Sequence, residues 1–330
     1  MTSRPPAAAA GHALRPATDD DLVTCARIWR EALNDYLGRL GQPEIPDDLG
    51  PILRLYAHLR ATDPTTFVVA EAVADGPSAT RGASAIDAFV VAVRRDGLWF
   101  LSMLFVRPAA QGRGLGRALI AAVAPDSDTW AGARATATDS VQPISNGLYG
   151  SLGMVPRVPL LRLVGRPERS GAFAPLPDGV EAIGFDEVGD DTGDGLGRAA
   201  LAAELDALDR DAAGFGRAVD HAFHASEGRI GFLYRDGSGV AVAYGYTSEA
   251  GRVGPIAVRD GAHLGPVLGH LLHAVRPRGA FGIWVPGAAG EAIVPLLRSG
   301  FRFDGFPVLL CWDRPFADLA RYIPMSPGLL

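Results

Sequence analysis

Residues 106–119 read Val-Arg-Pro-Ala-Ala-Gln-Gly-Arg-Gly-Leu-Gly-Arg-Ala-Leu, a glycine-rich and basic run between two apolar ones. The run before it, Leu98–Val106, has the look of a strand, and Leu115–Val123 repeats its apolar residues at helical spacing. A strand that feeds a glycine turn and then a helix suits the holding of phosphate. Glycine lets the backbone come close, and the unpaired N–H groups of the first helical turn meet the anion along the helix dipole. Arg113 and Arg117 add side-chain charge at the same place. A plain strand–turn–helix link needs neither so many glycines nor the arginines. Two commoner nucleotide loops are excluded by spacing. Gly116 is followed by Arg117-Ala118 where a P-loop has Lys-Ser/Thr, and Gly112, Gly114 and Gly116 lack the last interval of a dinucleotide fingerprint.

The elements that would position this loop read clearly through the first half of the chain. Leu14-Arg-Pro starts a strand, Thr18-Asp-Asp-Asp21 caps a helix, and Leu22, Cys25, Ala26, Ile28 and Trp29 recur on its face. A second helix covers roughly 49–60. Strands follow near 67–72 and 85–93, then the Trp99 strand, the loop and its helix. A strand over 129–138, a helix over 143–152 and a strand over 160–164 complete a β-αα-βββ-α-β-α-β order. Asn146 and Tyr149 are three apart on the later helix, hence on one face.

Gln111-x-x-Gly114-x-Gly116 resembles the acetyl-CoA pyrophosphate loop of the GCN5-related N-acetyltransferases (GNAT), and the order of elements over about residues 12–165 is similar to that family's. The resemblance implies an α/β acyl-CoA N-acyltransferase fold and acetyl-CoA as acyl donor. It implies that Gln111, Gly112, Arg113, Gly114, Leu115, Gly116 and Arg117 hold the pyrophosphate, and that backbone groups of Leu104, Phe105 and Val106 pair with the pantetheine arm. Ser145-Asn-Gly-Leu-Tyr149 resembles the family's second motif, which implies that Asn146 contacts pantetheine and that the Tyr149 hydroxyl is the general acid beside the sulfur. Many relatives carry a glutamate on the strand before the loop, and here that strand is uncharged. His58, Asp87, Asp139 or a water chain remain as alternatives for the base, and Tyr56–Pro64, where the family's acceptor loop lies, is either a substrate segment or a capped helix end. The implied activity is transfer of acetyl to a small-molecule primary amine by direct attack in a ternary complex. The alternatives are a non-catalytic acyl-CoA-binding regulator and a protein N-terminal or lysine acetyltransferase.

A chain of 330 residues is too long for one typical core. The expected division is a disordered tail over 1–12, a catalytic domain over 13–165, a Pro- and Gly-rich linker over 166–179 and a second domain over 180–330. In that second part Gly300-Phe301 with Phe306-Pro-Val-Leu-Leu echoes Gly153-Met154 with Val158-Pro-Leu-Leu, and 252–258 with its helix echoes the Trp99 strand and its helix. Two tandem copies of one fold follow, the second degenerate: its loop after Val258 is three residues shorter, and Leu296 and Ile293 stand opposite Tyr149 and Asn146. An unrelated α/β domain is the alternative. Gly193-Asp-Gly-Leu-Gly-Arg-Ala199 mimics the phosphate loop, but Asp190, Asp191 and Asp194 would repel an anion.

A net charge of −6 with no long basic run argues against nucleic acid as partner, and no apolar run is long enough for a membrane span. Two cysteines give no disulfide framework, so a cytoplasmic location is expected. The histidine pairs 221/224 and 270/273 lack an obvious third ligand, so no metal is expected. A monomer with pseudo-dimeric domains and a homodimer are both open.

Overall fold

A computed structural model describes residues 11–73, 85–126, 128–169, 171–189 and 197–330. The chain divides into two compact units, residues 1–94 with 99–132, and residues 95–98 with 133–330.

The first unit opens with β1 (His12–Pro16), α1 (Leu22–Arg39) and α2 (Gly50–Thr62), followed by β2 (Phe67–Ala72), β3 (Ile86–Arg95), β4 (Leu98–Val106) and α3 (Leu115–Val123). Its strands lie in the order β1-β2-β3-β4, with β1 antiparallel to β2 and β2 to β3. Their near-continuous apolar sequences, such as Phe-Val-Val-Ala, are buried on both faces, because helices cover the sheet. Cys25 and Ile28 of α1 and Tyr56 and Leu59 of α2 are buried, and Tyr56 packs edge-on against Phe67 and Phe89. Trp99 donates its indole N–H to the carbonyl of Val123 at 3.1 Å, tying the end of α3 to β4.

The second unit holds β5 (Ala133–Asp139), α4 (Pro143–Ser151) and β6 (Val155–Gly165). It continues with β7 (Glu181–Gly184), α5 (Arg198–Ala212), α6 (Ala218–Ser226), β8 (Ile230–Arg235), β9 (Ala241–Thr247) and β10 (Ile256–Val258). Last come α7 (Leu264–Ala274), β11 (Phe281–Pro286), α8 (Gly290–Ser299), β12 (Arg302–Phe303), β13 (Val308–Trp312) and β14 (Tyr322–Ile323). From β7 to β13 the order repeats that of β1 to β6, down to a short 3-10 turn between β10 and α7 where another lies between β4 and α3. The second copy is split between sheets: β7–β10 lie in one with β14, while β11–β13 join β5 and β6 in the other.

The expected boundary at 166–179 does not part compact units. β13, from the end of the chain, lies between β5 and β6 and is antiparallel to both, while β6 pairs on with β11 through Leu160–Gly165. A long strand shared in this way cannot end a self-contained domain, since its pairing is completed by segments 116 to 157 residues later. The 166–179 segment is itself anchored, with Phe173 and Leu176 packed on the core of α7 and its neighbours. One further boundary moves: β1 begins at His12, so the tail does not reach residue 12. Towards the other end, β14 pairs antiparallel with β10. Of the phosphate-loop mimic at 193–199, residues 193–196 lie outside the described residues.

Candidate functional site

The loop after β4 is built as a cradle. A 3-10 turn over Pro108–Ala110 leads to Gln111, whose side-chain amide donates to the Val106 carbonyl at 3.0 Å and so closes the loop on its own strand. Gly112 and Gly114 both have φ of +77°, the left-handed region where a side chain is strained, and where a Cβ would stand each faces open space to 4 Å. Gly114 is the N-cap of α3 and brings no side chain to cap it, so the first-turn N–H groups point outward. Leu115, Leu119, Ile120 and Val123 seat the helix in the core, whereas Gln111–Gly114 and Arg117 are exposed. The helix is thus fixed, its positive end is open, and Arg113 and Arg117 stand beside it. Such a cradle fits a pyrophosphate.

The base of the cradle is braced by charge. Arg107 donates its backbone N–H to the Asp87 carbonyl at 2.8 Å and its Nε–H to the Ile86 carbonyl at 3.1 Å, and pairs with Glu31 of α1. Asp87 Oδ1 lies 3.9 Å from Arg107 Nε, and its Oδ2 is 2.9 Å from His12 Nε2. His12 and Arg107 had no signal in the sequence: β1 and β3 flank β2, so residues 75 apart become partners only through the pairing of strands. Leu104, Phe105 and Val106 are half-buried at the end of β4, with Phe105 stacked on Phe89 at 5.7 Å. His58, half-buried on α2, and Asp87 sit on separate elements of this unit, and Asp139 belongs to the other unit. Asp63 is the C-cap of α2 and accepts the Arg94 backbone N–H at 3.0 Å.

In the second unit Asn146 and Tyr149 lie on α4. The Asn146 amide donates to the carbonyls of Asp139 at 3.0 Å and Gln142 at 2.8 Å, which fixes the turn from β5 into the helix. Its Oδ1 is buried and unpartnered, an acceptor still to be filled by a donor such as an amide N–H. Tyr149 is buried, and burial raises its phenol above the ordinary value of 10, with Cys311 of β13 adding to the effect. Cys311 is itself pushed up to about 11 by burial, and Cys25 to about 12, so both are packing thiols at neutral pH.

The second copy lacks the cradle. Between β10 and α7 the Asp260 carboxylate accepts the Ala262 N–H at 2.9 Å, placing a negative charge of the chain's own where the first copy is open. His263, the N-cap of α7, has an ordinary right-handed φ of −76°. Leu296 and Ile293 pack into the apolar core. The histidine pairs serve locally: His221 bonds Asp209 and Tyr246, His270 bonds Tyr234, and His273 bonds the Gly269 carbonyl. Among the described residues no helix is long and apolar enough to cross a membrane.

The acetyltransferase (GNAT) family model matches residues 27–154. No curated protein matches the chain in sequence. Among solved structures, a proposed acetyltransferase from Pyrococcus horikoshii superposes with a TM-score of 0.71 at 13% identity, over 98% of this chain and 98% of that one. A GCN5-related N-acetyltransferase from Sphaerobacter thermophilus gives 0.57 at 15% identity, covering 96% of this chain and all of that one. A tandem GNAT protein of the clavulanic acid biosynthesis pathway gives 0.51 at 15% identity, over 92% and 99% of the two chains. At these identities the likeness shows a shared fold. The match to the acetyltransferase (GNAT) family model covers residues 27–154, which include both the cradle and α4.

Proposed function

We propose that the chain is an acetyl-CoA-dependent N-acetyltransferase whose acceptor is a primary amine of a small molecule. The observation that carries this reading is the open left-handed cradle at Gly112–Gly114, set on an uncapped helix and flanked by Arg113 and Arg117. When bound, acetyl-CoA supplies an activated acetyl thioester. Gln111–Arg117 hold the pyrophosphate, Leu104–Val106 offer backbone groups to the pantetheine arm, and Asn146 Oδ1 offers an acceptor to one of its amides. The amine nitrogen attacks the carbonyl carbon, the C–S bond breaks, and Tyr149 gives its proton to the departing sulfur. Burial keeps the phenol protonated until that moment. The base that receives the amine proton is not assigned: Asp87 is engaged by His12, and Asp139 accepts the Val141 N–H at 3.2 Å.

The catalytic role is proposed for the first copy alone, with acetyl-CoA bound once per chain and the second copy serving structure. The test is release of free CoA thiol from acetyl-CoA across a panel of small amines, with a peptide panel in parallel. Amine-dependent release with small amines supports the reading. Binding without release from any acceptor would make the chain an acyl-CoA-binding regulator, and release with peptides alone would make it a protein acetyltransferase.

A further inference from the structure

The second copy buries a polar cluster that the acetyl-transfer reading does not use. Asp209 on α5, Arg217 just before α6 and His224 on α6 are each 0% exposed, and Asp220 and Tyr322 are 1% exposed. Asp209 accepts from the Tyr244 hydroxyl at 2.5 Å and from His221 Nε2 at 2.8 Å, while His221 Nδ1 meets the Tyr246 hydroxyl at 2.8 Å. Arg95 grips Asp220 with two bonds of 3.0 and 2.9 Å. These groups satisfy one another.

Others do not. All three guanidinium nitrogens of Arg217, both ring nitrogens of His224 and the Tyr322 hydroxyl are buried without a hydrogen-bond partner. Asp209 approaches Arg217 Nε only to 3.7 Å. Phe215 and Tyr322 cover Arg217 at 5.0 and 5.2 Å, which favours the cation through its faces and leaves its in-plane N–H groups unbonded. Buried polar groups are nearly always paired, and so many orphans in one place require an explanation. The fold itself gives none: the same helix–sheet layer of the first copy buries Cys25, Ile28, Leu59, Phe67 and Phe89.

We propose that this cluster is a second ligand site, which binds a small monocarboxylate with Arg217 as its bidentate anchor. A guanidinium offers a planar fork that matches a carboxylate, and the orphan hydroxyl of Tyr322, whose ring lies over Arg217, can donate to the same anion. The charge balance selects a monoanion. Arg95, Arg217 and Arg229 stand against Asp209 and Asp220, with Arg252 and Glu227 near Arg229 offsetting one another, which leaves one positive charge to neutralise. Arg229 is drawn down to about 10 by burial and is still a cation at neutral pH, and burial with Arg229 and Arg217 nearby keeps His224 neutral. The site is independent of acetyl transfer in the first copy.

The test uses the whole chain, with formate, acetate and lactate as probes, inorganic phosphate as dianion, and chloride to hold ionic strength. At about 100 times its Kd, a monocarboxylate is expected to raise Tm by about 5 °C above the chloride control. Arg217→Met keeps the volume without the charge, and is expected to fold and to lose the rise; Arg217→Lys should weaken binding by at least about 10-fold. Tyr322→Phe, which keeps the ring over Arg217 and removes only the orphan hydroxyl, is the second probe and should weaken binding in the same sense. No rise with any monocarboxylate, an equal rise in Arg217→Met or in Tyr322→Phe, or a larger rise with phosphate would overturn the proposal.

Discussion

Tyr149 and Gly114 are assigned separate jobs, and single substitutions separate them. Tyr149→Phe keeps the ring that fills the core and removes the proton. The expected result is a fall in kcat of roughly 10²–10⁴-fold with acetyl-CoA affinity nearly unchanged, read from steady-state kinetics and a binding titration. Unaltered turnover would make Tyr149 a packing residue. Since burial holds the phenol above its ordinary value of 10, the protonated form persists through the whole physiological range, and kcat should show no alkaline loss from Tyr149 below about pH 10. Gly114→Val does the converse. It forces a β-branched side chain to φ +77° and fills the open cradle, so binding should be lost while Tyr149 is untouched. The cradle was legible in the sequence because its chemistry is local, six residues with the right spacing. The His12–Asp87–Arg107 brace was not, since no spacing along the chain announces a contact made across three strands.

Among the elements, α1 shows how a short signal positions a long helix. Asp21 accepts from the Thr18 backbone N–H at 2.7 Å, the Thr18 hydroxyl at 2.8 Å and both terminal nitrogens of Arg15 at 2.7 and 3.0 Å. The Arg15 bonds, then those from Thr18, hold its carboxyl down to about 2. A depressed carboxyl stabilises the folded state above its unfolded value of 3.8, and that stabilisation is lost as pH falls through about 2. Asp21→Ala should therefore cost about 1 kcal/mol at neutral pH, a cap's worth, and the gap to the parent should narrow between about pH 4 and pH 2 in thermal melts. A constant gap down to pH 2 would show that the carboxylate charge is not what matters. The Thr18–Asp21 cap and the helical repeat after it were readable from sequence. Strand order was not: nothing in Val308–Trp312 tells that it pairs with Ala133–Asp139 rather than with a nearer strand.

At the scale of the whole molecule, the interposed β13 makes the two halves of the sequence interdependent even though each carries its own copy of the pattern. A chain ending at Gly165 would leave Ala135–Asp139 of β5 and Val155–Leu160 of β6 without the strand that pairs both, and would expose the apolar face that Leu310 and Cys311 cover. It should be insoluble or aggregated by size-exclusion chromatography; a monomeric, fully active product would refute this dependence. The tandem repeat itself was legible from paired motifs such as Gly153-Met154 and Gly300-Phe301, and so was the decay of the second loop. The place where compact units divide was hidden, because a linker's composition does not reveal which strands later return across it. The central claim, a donor site in the first copy alone, is tested most directly by calorimetric titration of acetyl-CoA into the full chain and its Gly114→Val variant. One site per chain, abolished in the variant, is the expected result; two equivalent sites, or binding that survives Gly114→Val, would contradict it.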